Sequence, residues 1–188
     1  MNASDLLIAV VLGTARAGRR SEHPARFVFA ELQKRSGVAA EFLDIRDLRF
    51  AWDGPNDETR DERWAELARR ADSFIIVTPE YNRGYPGLLK HALDMNLEEY
   101  SHKPVAFCGV SAGPFGGARV IEQLLPVARE LGLVVSSADV NFGGVAKLFG
   151  EDGELKDPNF VRRVSGMLDE LIWLTRGLKH GRENIAPA

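Results

Sequence analysis

The chain has 188 residues and only one cysteine, Cys108. A single cysteine excludes an intrachain disulfide, a C-x-x-C redox pair and a thiolate metal cluster, and we expect a reducing, cytoplasmic setting. The four histidines are scattered over separate segments and lack the short spacings of a metal-ligand set. Cys108 itself lies within an apolar run, which is typical of a small buried thiol. The sequence therefore indicates neither a metal centre nor thiol chemistry.

A strong net charge and a long apolar run are also missing. The formal charge is −3, from 24 basic and 27 acidic side chains, which gives no general attraction to nucleic acid or to an anionic membrane. No apolar run approaches the roughly 20 residues that a membrane span needs. The first apolar segment, Leu6 to Leu12, lacks a basic leader and ends at Gly13, so it predicts a strand rather than a signal peptide. We expect no nucleic-acid partner and no membrane, and any anion site must be local.

Strand and helix patterns alternate along the whole chain. The predicted strands cover 6–12, 39–45, 74–77, 104–110 and 133–136, the last with an extension toward 140, and the predicted helices cover 24–36, 57–71, 86–95, 118–131 and 159–178. Short buried strands joined by helices imply a parallel sheet with right-handed crossovers and helices on both faces. We therefore predict one α/β domain, residues 1–188, with a five-stranded parallel sheet in a three-layer sandwich. The expected strand order is 2-1-3-4-5, although the pattern alone does not determine it.

The segment from Gly13 to Ser21, GTARAGRRS, follows the first predicted strand and has the composition of an anion-binding loop. Its glycines let backbone N–H groups approach an oxyanion, Thr14 and Ser21 offer hydroxyls, and the next helix N-terminus adds partial positive charge. Three arginines add full charges: Arg16, Arg19 and Arg20. Gly13 and Gly18 have the spacing of a nucleoside-triphosphate loop, but two arginines stand where Lys and Ser or Thr are required. The G-x-G-x-x-G dinucleotide fingerprint is also absent, so a phosphate monoester suits the loop best.

A third loop, Ser111 to Gly117, follows the fourth predicted strand. The five residues from Gly109 to Gly113, at the junction of strand and loop, fit the G-x-S-x-G nucleophile elbow of hydrolases, with Ser111 as the nucleophile. A catalytic triad of that kind needs an acid and then a histidine downstream, and the only later histidine is His180, at the end of the final predicted helix. A hydrolase is therefore the weaker interpretation of this loop.

The second loop, Pro79 to Tyr85 after the third predicted strand, carries the most specific signal. Pro79-Glu80-Tyr81-Asn82, followed by Pro86-Gly87-Leu88-Leu89-Lys90 and Ala92-Leu93-Asp94, resembles the signature of the NAD(P)H-dependent FMN reductase family. The G-T-x-R-x-G-R run from Gly13 resembles the phosphate-binding loop of that family, with Thr14 where serine is usual, and Gly109 to Gly117 is similar to its third loop. The resemblance covers about residues 6 to 135 and keeps the three loops in order and spacing. Their combination is far more specific than any one loop.

The resemblance implies a flavodoxin-like fold and a bound FMN, with NADPH or NADH as co-substrate. Hydride would pass from the nicotinamide to flavin N5 and then to an acceptor such as free flavin or a quinone, so no side-chain nucleophile is required. The residues expected at the cofactor come from the three loops: Gly13, Thr14, Arg16, Arg19, Ser21, Pro79, Glu80, Tyr81, Asn82, Ser111 and Gly113.

We also expect a homodimer or homotetramer, which is common in that family, with the helix from Pro86 to about Leu97 in the interface. Apolar residues cluster around this helix, more than one sheet face needs: Tyr85, Leu88, Leu89, Met95 and Tyr100.

Several alternatives stay open. Glycine-rich turns are common, so the first loop can be a solvated turn, and Glu80 and Asn82 can be turn formers. A flavodoxin-like electron carrier, or a flavin sensor without turnover, would share the fold. The nearly balanced charge favours an enzyme, because carriers tend to be strongly acidic. The arginines of the first loop do not decide between NADH and NADPH.

Overall fold

A single parallel sheet organises the computed structural model, which describes residues 6–50 and 60–185. Its strands are β1 (Leu6–Leu12), β2 (Val38–Asp44), β3 (Ser73–Pro79), β4 (Pro104–Val110), β5 (Val134–Val135) and β6 (Val140–Phe142). The order is β2-β1-β3-β4-β5, and β6 also pairs with β4. All pairings are parallel. The predicted flavodoxin-like fold class and strand order are confirmed.

Helices cover both faces of this sheet because alternate residues of the buried strands point to opposite sides. The helices are α1 (Glu22–Gln33), α2 (Glu62–Arg70), α3 (Gly87–Asp94), α4 (Ala118–Glu130), α5 (Val145–Leu148) and α6 (Asn159–Asn184). One core packs Ile8 and Val10 against α1 and α6, whereas the opposite core packs Ala9 and Val11 against α2, α3 and α4. Within the described ranges, no helix is long and apolar enough to cross a membrane.

The fifth predicted strand differs from the structure, which has two short strands in its place. The predicted strand at 133–136 is only Val134–Val135, and the extension toward 140 is a separate strand, β6. Between them the Ser136 side chain accepts a hydrogen bond from the Ala138 backbone N–H at 3.3 Å. A serine that bonds to nearby backbone favours a turn over a strand, which explains the interruption.

Helix ends differ from the pattern for local reasons. Helix α1 begins at Glu22 rather than 24 and ends at Gln33 rather than 36, with Pro24 in its first turn, where proline is tolerated. The start predicted for the second helix, 57–59, lies outside the described residues. Helix α2 begins at Glu62, after Asp61 accepts hydrogen bonds from the N–H groups of Arg63 and Trp64.

Helix α6 extends to Asn184, beyond the predicted end at 178. Lys179 Nζ lies 2.9 Å from Asp72 Oδ2, and Arg182 Nη2 lies 3.2 Å from Asp72 Oδ1. The same carboxylate accepts the Leu7 backbone N–H at 3.0 Å. These bonds fasten the last turns of α6 to the amino edge of the sheet, and apolar periodicity cannot report them.

Candidate functional site

Three loops meet at the carboxyl edge of the sheet around a cavity of about 290 Å³. The loop after β1 contributes Arg16, Gly18, Arg19, Arg20 and Ser21. The end of β3 with its loop contributes Pro79, Glu80 and Tyr81, and the end of β4 with its loop contributes Val110, Ser111 and Ala112. Val145, on the short helix α5 that the sequence pattern did not reveal, completes the wall. The three predicted loops are therefore together, as expected for an α/β ligand site.

The first loop, which lines this cavity, has donors without a partner among the described residues. Ser21 precedes α1 in the N-cap position, but its side chain makes no capping bond. Its Oγ atom is buried and has no hydrogen-bond partner among the described residues. The backbone N–H groups of residues 17–21 likewise donate to no described backbone carbonyl. Free N–H groups, a buried hydroxyl and a helix N-terminus together suit an anion.

The three arginines of this loop have different surroundings. The Arg16 guanidinium lies over the ring of Tyr81, with Cζ 5.8 Å from its centroid. Neither Arg16 nor Arg20 forms an ion pair with a described carboxylate, and both are exposed. By contrast, the Arg19 side chain is 3% exposed and pairs with Asp44 and Glu22. Among the described residues, two guanidinium groups at the cavity therefore have no carboxylate partner, and the third is engaged within the protein.

Two residues expected at the cofactor lie behind the cavity wall rather than in it. Thr14 is buried, and its Oγ1 atom is 3.0 Å from the Tyr81 hydroxyl. A Cβ atom on Gly13 would lie 3.0 Å from Leu89 Cδ2 and 3.2 Å from Thr78 Cβ. Gly13 therefore leaves room for Leu89 of α3 to pack closely against the loop, and Thr14 contacts Tyr81 behind the cavity wall.

The second loop is a tight turn. Tyr81 and Gly84 exchange backbone hydrogen bonds of 2.9 Å in both directions. Between them Asn82 (φ 49°) and Arg83 (φ 69°) are both left-handed. Asn82 is exposed and does not line the cavity. This position in the turn is the one expected if Asn82 is a turn former.

Glu80 has a different environment from Asn82. Its backbone N–H donates to Val110 at 2.9 Å, and its Oε1 atom lies 3.3 Å from Arg119 Nη1. The other carboxylate oxygen, Oε2, is buried and has no partner among the described residues. Arg119 also lies over the exposed Phe115 ring, with Cζ 4.8 Å from its centroid. Sequence reasoning missed Arg119 because no local motif connects it with Glu80.

The third loop does not form a hydrolase site. Ser111 lines the cavity, and its Oγ atom donates to the Gly113 carbonyl at 2.9 Å. Gly113 is not in the cavity wall. His180 lies next to Lys179, which binds Asp72 at the opposite edge of the sheet. A Cβ atom on Gly109 would be 2.6 Å from the carbonyl oxygen of Gly117. The first glycine of G-x-S-x-G therefore allows the backbone at Gly117 to pack directly against the backbone of β4.

Known proteins resemble this chain in sequence and in fold. The quinone reductase of Pseudomonas putida is 33% identical over 159 residues, covering 80% of this chain and 84% of that protein. Among solved structures, the flavoenzyme NAD(P)H:(acceptor) oxidoreductase of Paracoccus denitrificans has a TM-score of 0.76 at 24% identity, covering 92% of this chain and 98% of that one. A point mutant of flavodoxin from Pseudomonas aeruginosa has a TM-score of 0.60 at 16% identity, covering 92% of this chain and 100% of that one.

The family match confirms the predicted resemblance and favours a reductase over an electron carrier. The family described as NADPH-dependent FMN reductase matches residues 6–147, which include all three loops of the cavity. That range exceeds the span of about 6 to 135 that the motifs suggested, and it extends through most of α5. The chain belongs to the NADPH-dependent FMN reductase family.

Proposed function

We propose that the protein is an FMN-dependent NAD(P)H oxidoreductase that reduces a quinone or free flavin, with FMN in the cavity at the carboxyl edge of the sheet. The observation that carries this proposal is the buried Ser21 hydroxyl without a partner, in a loop of free N–H groups at a helix N-terminus. The family match supports the cofactor and the activity. Bound FMN supplies the redox chemistry, because it accepts hydride from NAD(P)H and passes it on.

The residues present fit FMN. The phosphate would lie against Ser21 and the N–H groups of the first loop, with Arg16 and Arg20 as its positive partners. The ring would lie along Pro79 to Tyr81, near Ser111. A volume of about 290 Å³ is at the small end for a cofactor site, so part of the ring would extend over the open rim. An open ring face is what alternate access by nicotinamide and acceptor requires.

Other side chains would keep the ring site in place. The contact between the Thr14 and Tyr81 hydroxyls, at 3.0 Å, holds Tyr81 at the cavity wall. The ion pair of Glu80 with Arg119 ties the second loop to the first turn of α4. The buried Glu80 Oε2 atom could accept a hydrogen bond from an N–H or O–H group of the ligand. These residues orient the cofactor, and none is a nucleophile.

The proposal extends to assembly, domain organisation and location. A homodimer or homotetramer through α3 and the residues that follow it is supported by the exposure of Leu88 (41%) on α3 and of Leu97 (62%) just after it. A groove of about 270 Å³ between α3 and α4 supports it as well. Leu89 instead packs in the core, and Tyr100, 1% exposed, cannot belong to an interface patch. We also propose one domain over residues 1–188 and a cytoplasmic location; the continuous sheet supports the first, and the second stays a prediction.

Binding and turnover test the proposed function. FMN and riboflavin are titrated into the purified protein and followed by flavin fluorescence, and oxidation of NADPH and of NADH is then measured with a quinone or free FMN as acceptor. We expect FMN to bind more tightly than riboflavin and turnover to depend on added FMN. Equal affinity for both flavins would overturn the phosphate site. FMN binding without NAD(P)H oxidation would favour the carrier or sensor.

Assembly is tested separately by light scattering at micromolar concentration. Leu88→Asp should dissociate the oligomer, whereas Val161→Asp, at an equally exposed position on α6 (41%), should not. A wild-type protein that is monomeric at this concentration would contradict the proposed homodimer or homotetramer.

A further inference from the structure

We propose that Arg19 is a positioning residue that shapes the phosphate loop and does not itself contact the phosphate, which is held by Arg16, Arg20 and Ser21. This inference deepens the proposed function and rests on it. It also replaces the sequence-based expectation that Arg19 binds the cofactor directly.

The hydrogen bonds of Arg19 leave no donor for a ligand. An arginine side chain has five N–H donors. Nη1 donates to the Thr14 carbonyl and to Asp44 Oδ1, both at 2.6 Å. Nη2 donates to Asp44 Oδ2 and, at 3.3 Å, to Glu22 Oε2, while Nε reaches the same Glu22 oxygen at 3.4 Å. A phosphate could bind Arg19 only by displacing one of these acceptors.

The charge of Arg19 is likewise compensated within the protein. Burial alone would raise the pKa of Asp44, but the hydrogen bonds from Arg19 and from the Arg46 N–H outweigh it and lower that pKa. For Glu22, hydrogen bonding from Arg26 and the charge of Arg19 lower the pKa. Both carboxylates therefore stay ionised near neutral pH beside one guanidinium. The group of Arg19, Asp44 and Glu22 carries no excess positive charge toward the cavity.

Side-chain hydrogen bonds also fix the orientation of two backbone carbonyl groups in the first loop. Arg19 binds the carbonyl oxygen of Thr14, and Arg46 Nη2 donates to the carbonyl oxygen of Arg16 at 2.8 Å. Asp44, at the end of β2, joins the two arginines because it also accepts the Arg46 backbone N–H at 2.9 Å. Two loop carbonyls are thus held by groups next to β2. With these carbonyls engaged, the N–H groups of residues 17–21 remain available to the anion.

The effect of Asp44→Ala on FMN affinity tests the proposal, because direct phosphate binding by Arg19 and positioning by Arg19 predict changes of opposite sign. Asp44→Ala removes a negative charge near an anion site and releases Arg19, so if Arg19 could bind phosphate directly, the affinity for FMN would stay the same or increase. If Arg19 acts by positioning, FMN affinity should instead fall, by about tenfold, within the range for residues coupled in one ion-pair network. Riboflavin affinity and the thermal unfolding midpoint serve as controls for folding. If Asp44→Ala does not fold, Asp44→Asn is used, with the same expected sign.

Two substitutions that conserve charge, Arg19→Lys and Arg16→Lys, complete the experiment. Arg19→Lys should weaken FMN almost as much as Arg19→Ala, because an ammonium cannot reproduce the bonds to Thr14, Asp44 and Glu22. The matched control is Arg16, where Arg16→Lys should retain much of the affinity that Arg16→Ala loses. Unchanged or tighter FMN binding by the Asp44 variant, or full rescue by Arg19→Lys, would overturn the positioning role alone. Absence of FMN binding by the wild-type protein would overturn the proposed function, and this inference with it.

Discussion

Replacement of Ser21 by alanine should change stability and FMN affinity in opposite directions. The Ser21 Oγ atom is buried without a partner among the described residues, and a buried hydroxyl of that kind costs about 1–3 kcal/mol. A serine at an N-cap usually stabilises its helix by about 1 kcal/mol, but this side chain makes no capping bond, so little is lost with it. We therefore expect Ser21→Ala to stabilise the protein without cofactor by about 1–2 kcal/mol, or roughly 2–8 °C in melting temperature.

The same substitution should weaken FMN because it removes a donor to the charged phosphate. A hydrogen bond to a charged group contributes about 1.5–3 kcal/mol, so the dissociation constant should rise about 10- to 150-fold. Calorimetric unfolding without FMN and fluorescence titration with it measure the two effects, and Ser36→Ala, at an exposed serine, is the control. A lower melting temperature without FMN, or unchanged FMN affinity, would refute the reasoning.

Three further predictions concern other residues. Arg16→Ala should weaken FMN by about 1.5–3 kcal/mol and leave riboflavin almost unchanged, and equal losses in the two titrations would refute its phosphate contact. Asn82→Ala should lower the melting temperature whereas Asn82→Gly should not, because φ is 49° there; equal melting curves for the two variants would contradict the turn role. Burial, with a smaller contribution from Arg182, lowers the pKa of Lys103 from 10.5 to about 8. Between those pH values the unfolded state therefore binds more protons than the folded state, and the free energy of unfolding should rise with pH, by up to about 3 kcal/mol. Chemical denaturation at several pH values should show this rise for wild type but not for Lys103→Met.

The fold was largely predictable because buried parallel strands have a strong local signal. The strands at 6–12 and 104–110 were predicted to the residue, since each is an unbroken apolar run between polar segments. Predictions were poorer where a side chain decides the backbone. Ser136 interrupts the fifth strand position by bonding Ala138, and Asp72 prolongs α6 by bonding Lys179 and Arg182. Neither set of hydrogen bonds changes the hydrophobic periodicity of the sequence, from which the strands and helices were predicted.

The limits of prediction at the site follow from the same cause. Loops after β1, β3 and β4 must share an edge of the sheet, so their meeting was predictable from the alternation of strands and helices alone. Which side chains remain free within those loops was not, because partners far apart in the sequence decide it: Asp44 engages Arg19, and Arg119 engages Glu80. Arg16 and Arg19 look equivalent in the motif. Only the position of β2, which brings Asp44 beside the loop, separates an arginine that can bind an anion from one that shapes the site for it.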